Sequence, residues 1–317
     1  MLREKNVADS TWHTNDLDEF VKLVDKLGGV KTEAVKKLYA DFTLQFDTVV
    51  DVSLDPTSEE YHKQQTKLYE EISGRSLNQI EGEYFPVPKN YASSNPYGSK
   101  DIRFMSKHSR AVLTSIMIAD LEPDSWVLDL GCGWGLSTEN FAFCGANVHA
   151  VDINSEFTEL VSKRCASRNY SVVAETSEFD SFESDKKYDM VFFYECLHHS
   201  VSILKTLDHI KKFVKPDGCI VFCGEPINSI WWKNWGMRLD PHSVYCTRKF
   251  GWFESGWSTD YLKMVFENIG WKVFLFPGIG LGPGHLGLAV NQDFNDNIIA
   301  DRLSAVCPNP DRIMQAA

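Results

Sequence analysis

The chain predicts an α/β fold, a doubly wound and mostly parallel seven-stranded sheet preceded by an N-terminal helical attachment. Three observations carry this. Val127-Leu128-Asp129-Leu130 reads as a strand covered on both faces and runs straight into Gly131-Cys132-Gly133-Trp134-Gly135. From about Glu122 onward, short branched-apolar runs alternate with helical stretches, the signature of parallel strands joined by right-handed crossovers. A helical segment and two strand-like runs then close the pattern before Asn291.

In chain order, Asp16 to Lys26 has helical periodicity, with Asn15 or Asp16 as cap and Gly28-Gly29 as stop. A second helix is expected over Lys31 to Phe46, and a third over Ser58 to Ser73 after Pro56. Leu77 to Asn95 is turn-rich, with Pro86 and Pro88 inside it and Pro96 just beyond. Helix resumes from Ile102 to Ala119, and Pro123-Asp124 leads into the sheet. Its strands are expected at Trp126–Leu130, Asn147–Val151, Ser171–Ala174, Met190–Tyr194, Cys219–Cys223, Lys272–Phe276 and Leu286–Val290. Tyr261 to Ile269 is helical and Gly270 ends it. The organisation read from this is a helical cap over 1–100, a ligand-binding domain over 101–291 with an insertion at 227–258, and a polar, peripheral tail over 292–317. The cap carries no chemical motif; it packs on the sheet domain, closes over a ligand or dimerises.

The glycine turn is where chemistry concentrates. Glycines at alternate positions allow a tight turn and a close ligand approach that a Cβ would block. The helix expected from Leu136 to Cys144 would point its N-terminus at that ligand and favour negative charge there. Val148-His149-Ala150-Val151-Asp152 then ends a second strand in an acid, 21 positions after Gly131. That spacing suits a carboxylate accepting hydrogen bonds from a ribose diol, so turn and acid together indicate a nucleoside-containing cofactor. A dinucleotide fingerprint needs a small residue where Leu136 stands, which argues against a nicotinamide or flavin enzyme.

What stands there instead is Asp-x-Gly-x-Gly-x-Gly, from Asp129 through Gly135, which resembles motif I of class I S-adenosylmethionine-dependent methyltransferases. The run Tyr188 to His199 resembles that family's fourth strand and following loop, and Val214 to Phe222 its fifth strand with the turn before it. The resemblance spans about Ser106 to Asn291. It implies a Rossmann-like sheet whose last strand inserts antiparallel, and S-adenosyl-L-methionine as cofactor. It also implies that Asp129, Gly131, Gly133 and Gly135 shape the amino-acid end of the cofactor site. Asp152 would hold the ribose and Glu175 the adenine, with Glu178 or Asp180 instead if the register slips. Cys132, Ile153 and Tyr194 complete the cofactor-binding set that the resemblance implies.

Composition narrows the partners. The net charge of −12 argues against duplex nucleic acid, whose phosphates require a basic surface. Lys205, Lys211, Lys212 and Lys215 read as a solvated helix face. The 8 cysteines include no C-x-x-C. Cys132, Cys144, Cys196, Cys219 and Cys223 lie in apolar or motif contexts, so they read as buried, reduced thiols. No zinc spacing occurs, and no metal is expected. Met1 to Asp16 is too polar for a signal peptide, and no apolar run reaches spanning length, so the expected location is cytoplasmic. Oligomeric state is left open.

Ligands of doubly wound sheets bind beyond the carboxyl ends of the strands. The fourth strand ends in Tyr194-Glu195-Cys196-Leu197-His198-His199, and the fifth in Gly224-Glu225-Pro226. Methyl transfer from a sulfonium is a one-step displacement that mainly needs alignment, and an alcohol nucleophile additionally benefits from a base. His198 and His199 are the first candidates, joined by His242 and Glu225. The insertion is rich in flat rings (Trp231, Trp232, Trp235, Tyr245, Phe250, Trp252, Phe253, Trp257) interleaved with Arg238, Asp240 and Glu254. Such a mixture suits a sugar or an aromatic metabolite, or else it buries the insertion. The run Arg248 to Trp257 resembles a segment of methyltransferases associated with glycan and surface-polysaccharide pathways, implying a sugar, nucleotide-sugar or glycan acceptor. Asn95-Pro96-Tyr97-Gly98 is a candidate for closing over the cofactor, or a plain turn. The alternatives carried forward are a non-catalytic scaffold of this fold and a methyltransferase acting on protein or nucleic acid.

Overall fold

Val127, Leu128 and Leu130 are wholly buried, as a strand in the middle of a covered sheet must be. The computed structural model describes residues 11–83, 87, 96–97, 99, 101–227, 234–276, 285–306 and 314–315. Before the sheet come β1 (Thr11–His13), α1 (Leu17–Lys26), α2 (Glu33–Ala40), β2 (Thr43–Gln45), α3 (Glu59–Ser73), α4 (Gln79–Gly82) and α5 (Ile102–Ala119). The sheet region runs β3 (Trp126–Leu130), α6 (Leu136–Phe143), β4 (Asn147–Asp152), α7 (Ser155–Ser167), β5 (Val172–Thr176), β6 (Tyr188–Tyr194), α8 (Ile203–Ile210) and β7 (Val214–Glu225). There follow β8 (Trp235–Met237), α9 (Pro241–Phe250), β9 (Ser255–Trp257), α10 (Thr259–Asn268), β10 (Trp271–Phe276), β11 (His285–Asn291), α11 (Asp296–Val306) and β12 (Met314–Gln315).

The large sheet has the order β12-β10-β11-β7-β6-β3-β4-β5. The pairs β3–β4, β3–β6, β4–β5 and β6–β7 are parallel, and β11 inserts antiparallel between β7 and β10. All seven expected strands are present, with the antiparallel one where the resemblance implied it. The two-residue β12 adds an eighth at the β10 edge. One face is buried by Ala111, Val112 and Ile118 of α5, Phe141 of α6 and Ile299 of α11 against Val127, Val148, Met190, Phe192, Val221 and Leu288. On the other, Phe266 of α10 stacks on Phe222 of β7 with ring centroids 6.0 Å apart.

The chain forms two compact units, Met1–Tyr84 with Ile230–Gly256, and Phe85–Ser229 with Trp257–Ala317. This division differs from the expected 1–100, 101–291 and 292–317. The insertion belongs with the N-terminal helices because hydrogen bonds and buried rings tie them together. Tyr61 Oη donates to the Trp235 carbonyl at 2.5 Å, Trp235 Nε1 to the Pro56 carbonyl at 2.9 Å, and Tyr69 Oη to the Gly251 carbonyl at 2.7 Å. Trp235, Tyr245 and Phe253 are buried in that unit with Phe20, Tyr61 and Leu68. The tail is a second correction. Its exposed Asp296, Asn297 and Asp301 make it read as peripheral, but Ile299 turns inward at 2 % exposure and seats α11 in the sheet core. A third concerns the helix expected over Lys31 to Phe46. It stops at Ala40, and Thr43–Gln45 pairs with β1 instead, because a ladder partner distant in sequence overrides local propensity.

Candidate functional site

The turn after β3 is folded by its glycines and pinned from behind. Gly131 and Cys132 donate their N–H groups to the Val151 carbonyl at 2.8 and 3.0 Å, and Gly135 N–H donates to the Cys132 carbonyl at 2.8 Å. Gly131 has φ +69°, and a Cβ there would stand 2.6 Å from Cys196 Sγ. Both the conformation and the space therefore demand glycine. Gly135, at φ +88°, lies against the buried Arg164 of α7. The Arg164 guanidinium donates to the Trp134 carbonyl and to Glu139 of α6, so a buried ion pair holds the back of the turn.

Asp129 lies beneath this turn, fully buried at the end of β3. Its Oδ2 accepts from Ser137 Oγ at 2.8 Å and Thr138 Oγ1 at 2.5 Å, both in the first turn of α6. Its Oδ1 is buried and has no hydrogen-bond partner among the described residues. Burial pushes its carboxyl up to about 7, with the Asp152 charge adding to the rise and the Thr138 and Ser137 hydroxyls opposing it. Asp152 Oδ2 accepts from Gly133 N–H at 2.8 Å and its Oδ1 from Asn154 N–H at 2.9 Å, which ties the glycine turn to the end of β4. Ile153, next along, is half-buried.

Other expected cofactor residues are engaged elsewhere. The Cys132 side chain packs with Ala150, Val161 and Cys165, and burial raises its thiol far above the ordinary value. Glu175 Oε2 lies 3.0 Å from His149 Nε2, and His149 Nδ1 lies 2.7 Å from Tyr188 Oη. Asp180, the slipped-register alternative, accepts from Thr206 Oγ1 at 2.5 Å. Tyr194 Oη is hydrogen-bonded to His108 Nδ1 in the interior, and burial drives the phenol strongly upward. Among the cysteines, Cys132, Cys196, Cys219 and Cys223 are buried as expected, whereas Cys144, at the end of α6, is exposed.

The exits of β6 and β7 bring Glu225 and His198 together. Glu225, 1 % exposed, accepts at Oε1 from the backbone N–H of Cys196 at 3.1 Å and of Leu197 at 3.0 Å. Its Oε2 accepts from His198 N–H at 3.0 Å and lies 2.8 Å from His198 Nδ1. Burial works against the charge, but His198 and the N–H groups of Leu197 and Cys196 outweigh it and hold the carboxyl below its ordinary value. A carboxylate so occupied fixes a loop and a ring; it has little left for taking a substrate proton. This corrects its candidacy as a base and leaves His198 as the oriented group. Nδ1 faces the carboxylate, which fixes the ring and turns Nε2 to the opposite side. The His199 ring lies 4.3 Å from the His198 ring. His242 is exposed in the first turn of α9, in the other compact unit, with Nε2 3.9 Å from Cys246 Sγ.

Four rings of the aromatic insertion are buried, the second of its two expected roles. Trp235, Tyr245, Phe253 and Trp257 are buried, and Phe250 stacks on Trp252 at 4.9 Å. Trp231 and Trp232 lie outside the described residues, as do Asn95 and Gly98. Sequence reasoning missed Glu195, which has φ +51° and accepts from Tyr97 Oη at 2.8 Å. Its signal was its place at the very end of an apolar strand.

This is the architecture of a cofactor-binding α/β transferase, with a glycine turn after one strand, an acid after the next, and an oriented histidine across the sheet. A family model described as "Methyltransferase domain" matches residues 103–274, and the chain belongs to that family, whose methyl donor is S-adenosyl-L-methionine. The chain is 31% identical over 104 residues to a ubiquinone biosynthesis O-methyltransferase of Rickettsia bellii (strain OSU 85-389), covering 33% of this chain and 42% of that protein. It is 28% identical over 110 residues to malonyl-[acyl-carrier protein] O-methyltransferase 2 of Ilyobacter polytropus, covering 34% and 42%. It thus spans less than half the length of these relatives. Among solved structures, magnesium protoporphyrin IX methyltransferase of Synechocystis PCC 6803 with bound SAM aligns at a TM-score of 0.47 and 14% identity, covering 68% of this chain and 98% of that one. The residues present fit the cofactor on two counts. Asp129 Oδ1 is a buried acceptor with no donor among the described residues, and a Cβ at Gly133 would meet nothing nearer than the Gly131 carbonyl at 4.0 Å, so the turn has open space there. Among the described residues, no helix is long and apolar enough to cross a membrane.

Proposed function

We propose that this protein is an S-adenosyl-L-methionine-dependent methyltransferase that methylates an oxygen, with nitrogen the less favoured atom, of a small metabolite. The observation that carries the reading is the buried, half-satisfied carboxylate of Asp129 beneath the glycine turn. A buried acceptor without a donor is costly, and an ammonium group would satisfy it. When bound, the cofactor supplies an electrophilic methyl carbon on a sulfonium. Asp129 and the turn hold its amino-acid end, and Asp152 accepts from the ribose hydroxyls. Ile153 packs beside the adenine. Glu175 serves that end only if its hydrogen bond to His149 opens.

His198 accepts the proton of the acceptor hydroxyl at Nε2, and Glu225 fixes its tautomer and stabilises the charge that develops. Both relatives described above are O-methyltransferases by name, which supports oxygen over nitrogen. A sugar-containing acceptor remains the first to test, resting on the resemblance of Arg248 to Trp257 to glycan-pathway enzymes. The buried rings of the insertion lend it no support.

The test is calorimetric titration with S-adenosylhomocysteine, alongside Asp152→Ala and a nicotinamide dinucleotide control. Binding of S-adenosylhomocysteine alone, weakened in the variant, is expected. Binding of neither ligand would sink the reading in favour of a scaffold.

A further inference from the structure

The cofactor turn follows β3 and the ribose-side acid follows β4, so the neighbouring exits of β6 and β7 are left for the acceptor. Glu195 is the first residue beyond β6. It adopts φ +51°, a conformation that costs a non-glycine residue energy and that persists at sites where a side chain must be aimed. Its neighbour Cys196 touches the space beside Gly131, which places Glu195 next to the cofactor turn. On its other side it packs so tightly over Gly224 that a Cβ there would meet Glu195 Cγ at 2.4 Å. The side chain is 29% exposed, unlike Glu225 beneath it.

Three further groups shape this position. Tyr97 Oη donates to Glu195 Oε2 at 2.8 Å, and His108 Nδ1 stands 3.7 Å from the same oxygen. The Tyr97 ring lies 4.9 Å from the His108 ring and 5.3 Å from that of Phe104, making an aromatic wall beside the carboxylate. Oε1 has no hydrogen bond among the described residues. Burial pushes the carboxyl up to about 7, with Tyr97 opposing the rise, Glu225 adding to it, and Lys107 opposing it. Glu225 thus faces it with like charge, and the nearby imidazole of His108 is held toward its neutral form by burial and by Lys107.

We infer that Glu195, braced by Tyr97, is the acceptor-recognising residue, and that it selects a neutral hydroxyl-bearing acceptor over an anionic carboxylate. This rests on the methyltransferase reading above and deepens it. An O–H donor satisfies Oε1, and an aromatic or sugar ring covers Tyr97 and Phe104. A carboxylate acceptor would bring a further negative group against the buried charge of Glu225 and against Glu195 in its ionised form, with like-charge repulsion strengthened by the low-dielectric surroundings. Glu195 is a positioning residue here; the proton goes to His198.

The experiment measures transfer of labelled methyl from S-adenosyl-L-methionine to matched sets of neutral hydroxyl compounds (catechols, alkyl glycosides) and carboxylates (benzoate, malonate). It uses the wild type, Glu195→Gln, Glu195→Asp and Tyr97→Phe, with S-adenosylhomocysteine affinity and melting followed in parallel. The expected result is transfer to hydroxyl compounds only. Glu195→Gln should raise KM for the best acceptor about tenfold or more, with kcat and S-adenosylhomocysteine affinity little changed. Glu195→Asp should restore part of the loss, and Tyr97→Phe should raise KM several-fold. Efficient transfer to a carboxylate, transfer to no hydroxyl compound, or an unchanged KM in a folded Glu195→Gln would overturn the inference. Failure of the wild type to bind S-adenosylhomocysteine would remove the underlying reading instead, and is read separately in the calorimeter.

Discussion

Asp129 should make cofactor binding release a proton. Its carboxyl is pushed up to about 7 by burial, so about half the molecules carry the proton at pH 7, about 0.9 at pH 6 and about 0.1 at pH 8. An ammonium group donated to Oδ1 holds the carboxylate ionised, because it supplies the opposite charge that the free protein lacks there. Binding of S-adenosylhomocysteine should then expel close to one proton at pH 6, about half at pH 7 and almost none at pH 8. Its affinity should be about tenfold weaker at pH 6 than at pH 8, with the change flattening above pH 7. The sign for the ligand-free fold is consistent. A carboxyl raised from 3.8 to about 7 stabilises the fold below its unfolded value, and that contribution is lost as pH rises through about 7. The assay is calorimetry at each pH in buffers of differing ionisation enthalpy, which counts protons directly. Asp129→Asn keeps the shape, removes the proton release and forfeits a charge-assisted bond of about 1.5–3 kcal/mol, or roughly a 10- to 150-fold loss of affinity. Proton release unchanged in Asp129→Asn, or affinity flat from pH 6 to 8 in the wild type, would refute the reasoning.

Three other outcomes follow from the same geometry. His198→Ala should lower kcat by about 100-fold or more while S-adenosylhomocysteine affinity holds, and His199→Ala should do less, because only His198 is oriented by Glu225; steady-state kinetics decide it. Glu225→Gln removes the charge that four N–H groups share, so denaturant melts should show a loss of about 3 kcal/mol. Because the Glu225 carboxyl is held below its ordinary value, that stabilisation is present above the unfolded pKa and lost as pH falls through the folded one. Gly131→Ala should abolish cofactor binding and lower Tm well beyond Gly145→Ala. A Cβ added at position 131 would meet Cys196 Sγ at 2.6 Å, whereas one added at position 145, where φ is +100°, has nothing within 4 Å and costs only the backbone preference.

The glycine turn and the acid after the next strand were legible because their demands are local. Gly131 needs φ +69° and an empty Cβ position, and Asp152 must end the next strand, so both requirements leave a mark in residue type and spacing. Glu175 shows what such a local reading leaves out. It lies inside β5, one residue short of its end, and the imidazole of His149, three residues before Asp152 on β4, stands 3.0 Å from its carboxylate. The cluster of His198, Glu225 and Glu195 was harder to read, since these residues come from two strand exits whose contact depends on the β6–β7 register. A carboxylate that could be a base or an anchor looks the same in a sequence; four N–H groups on Glu225 decide for the anchor.

The sequence by itself determined the alternating α/β order, the seven main strands and the glycine turn, because hydrophobic periodicity and glycine's backbone freedom act over a few residues. The tertiary structure alone decided where the aromatic insertion and the tail belong. It spent Trp235, Tyr245 and Phe253 on a core shared with the N-terminal helices, and it turned Ile299 into the sheet domain. The physical reason is that burial depends on partners far away in the chain. An aromatic or isoleucine side chain advertises that it will be covered, and only the folded chain shows by what.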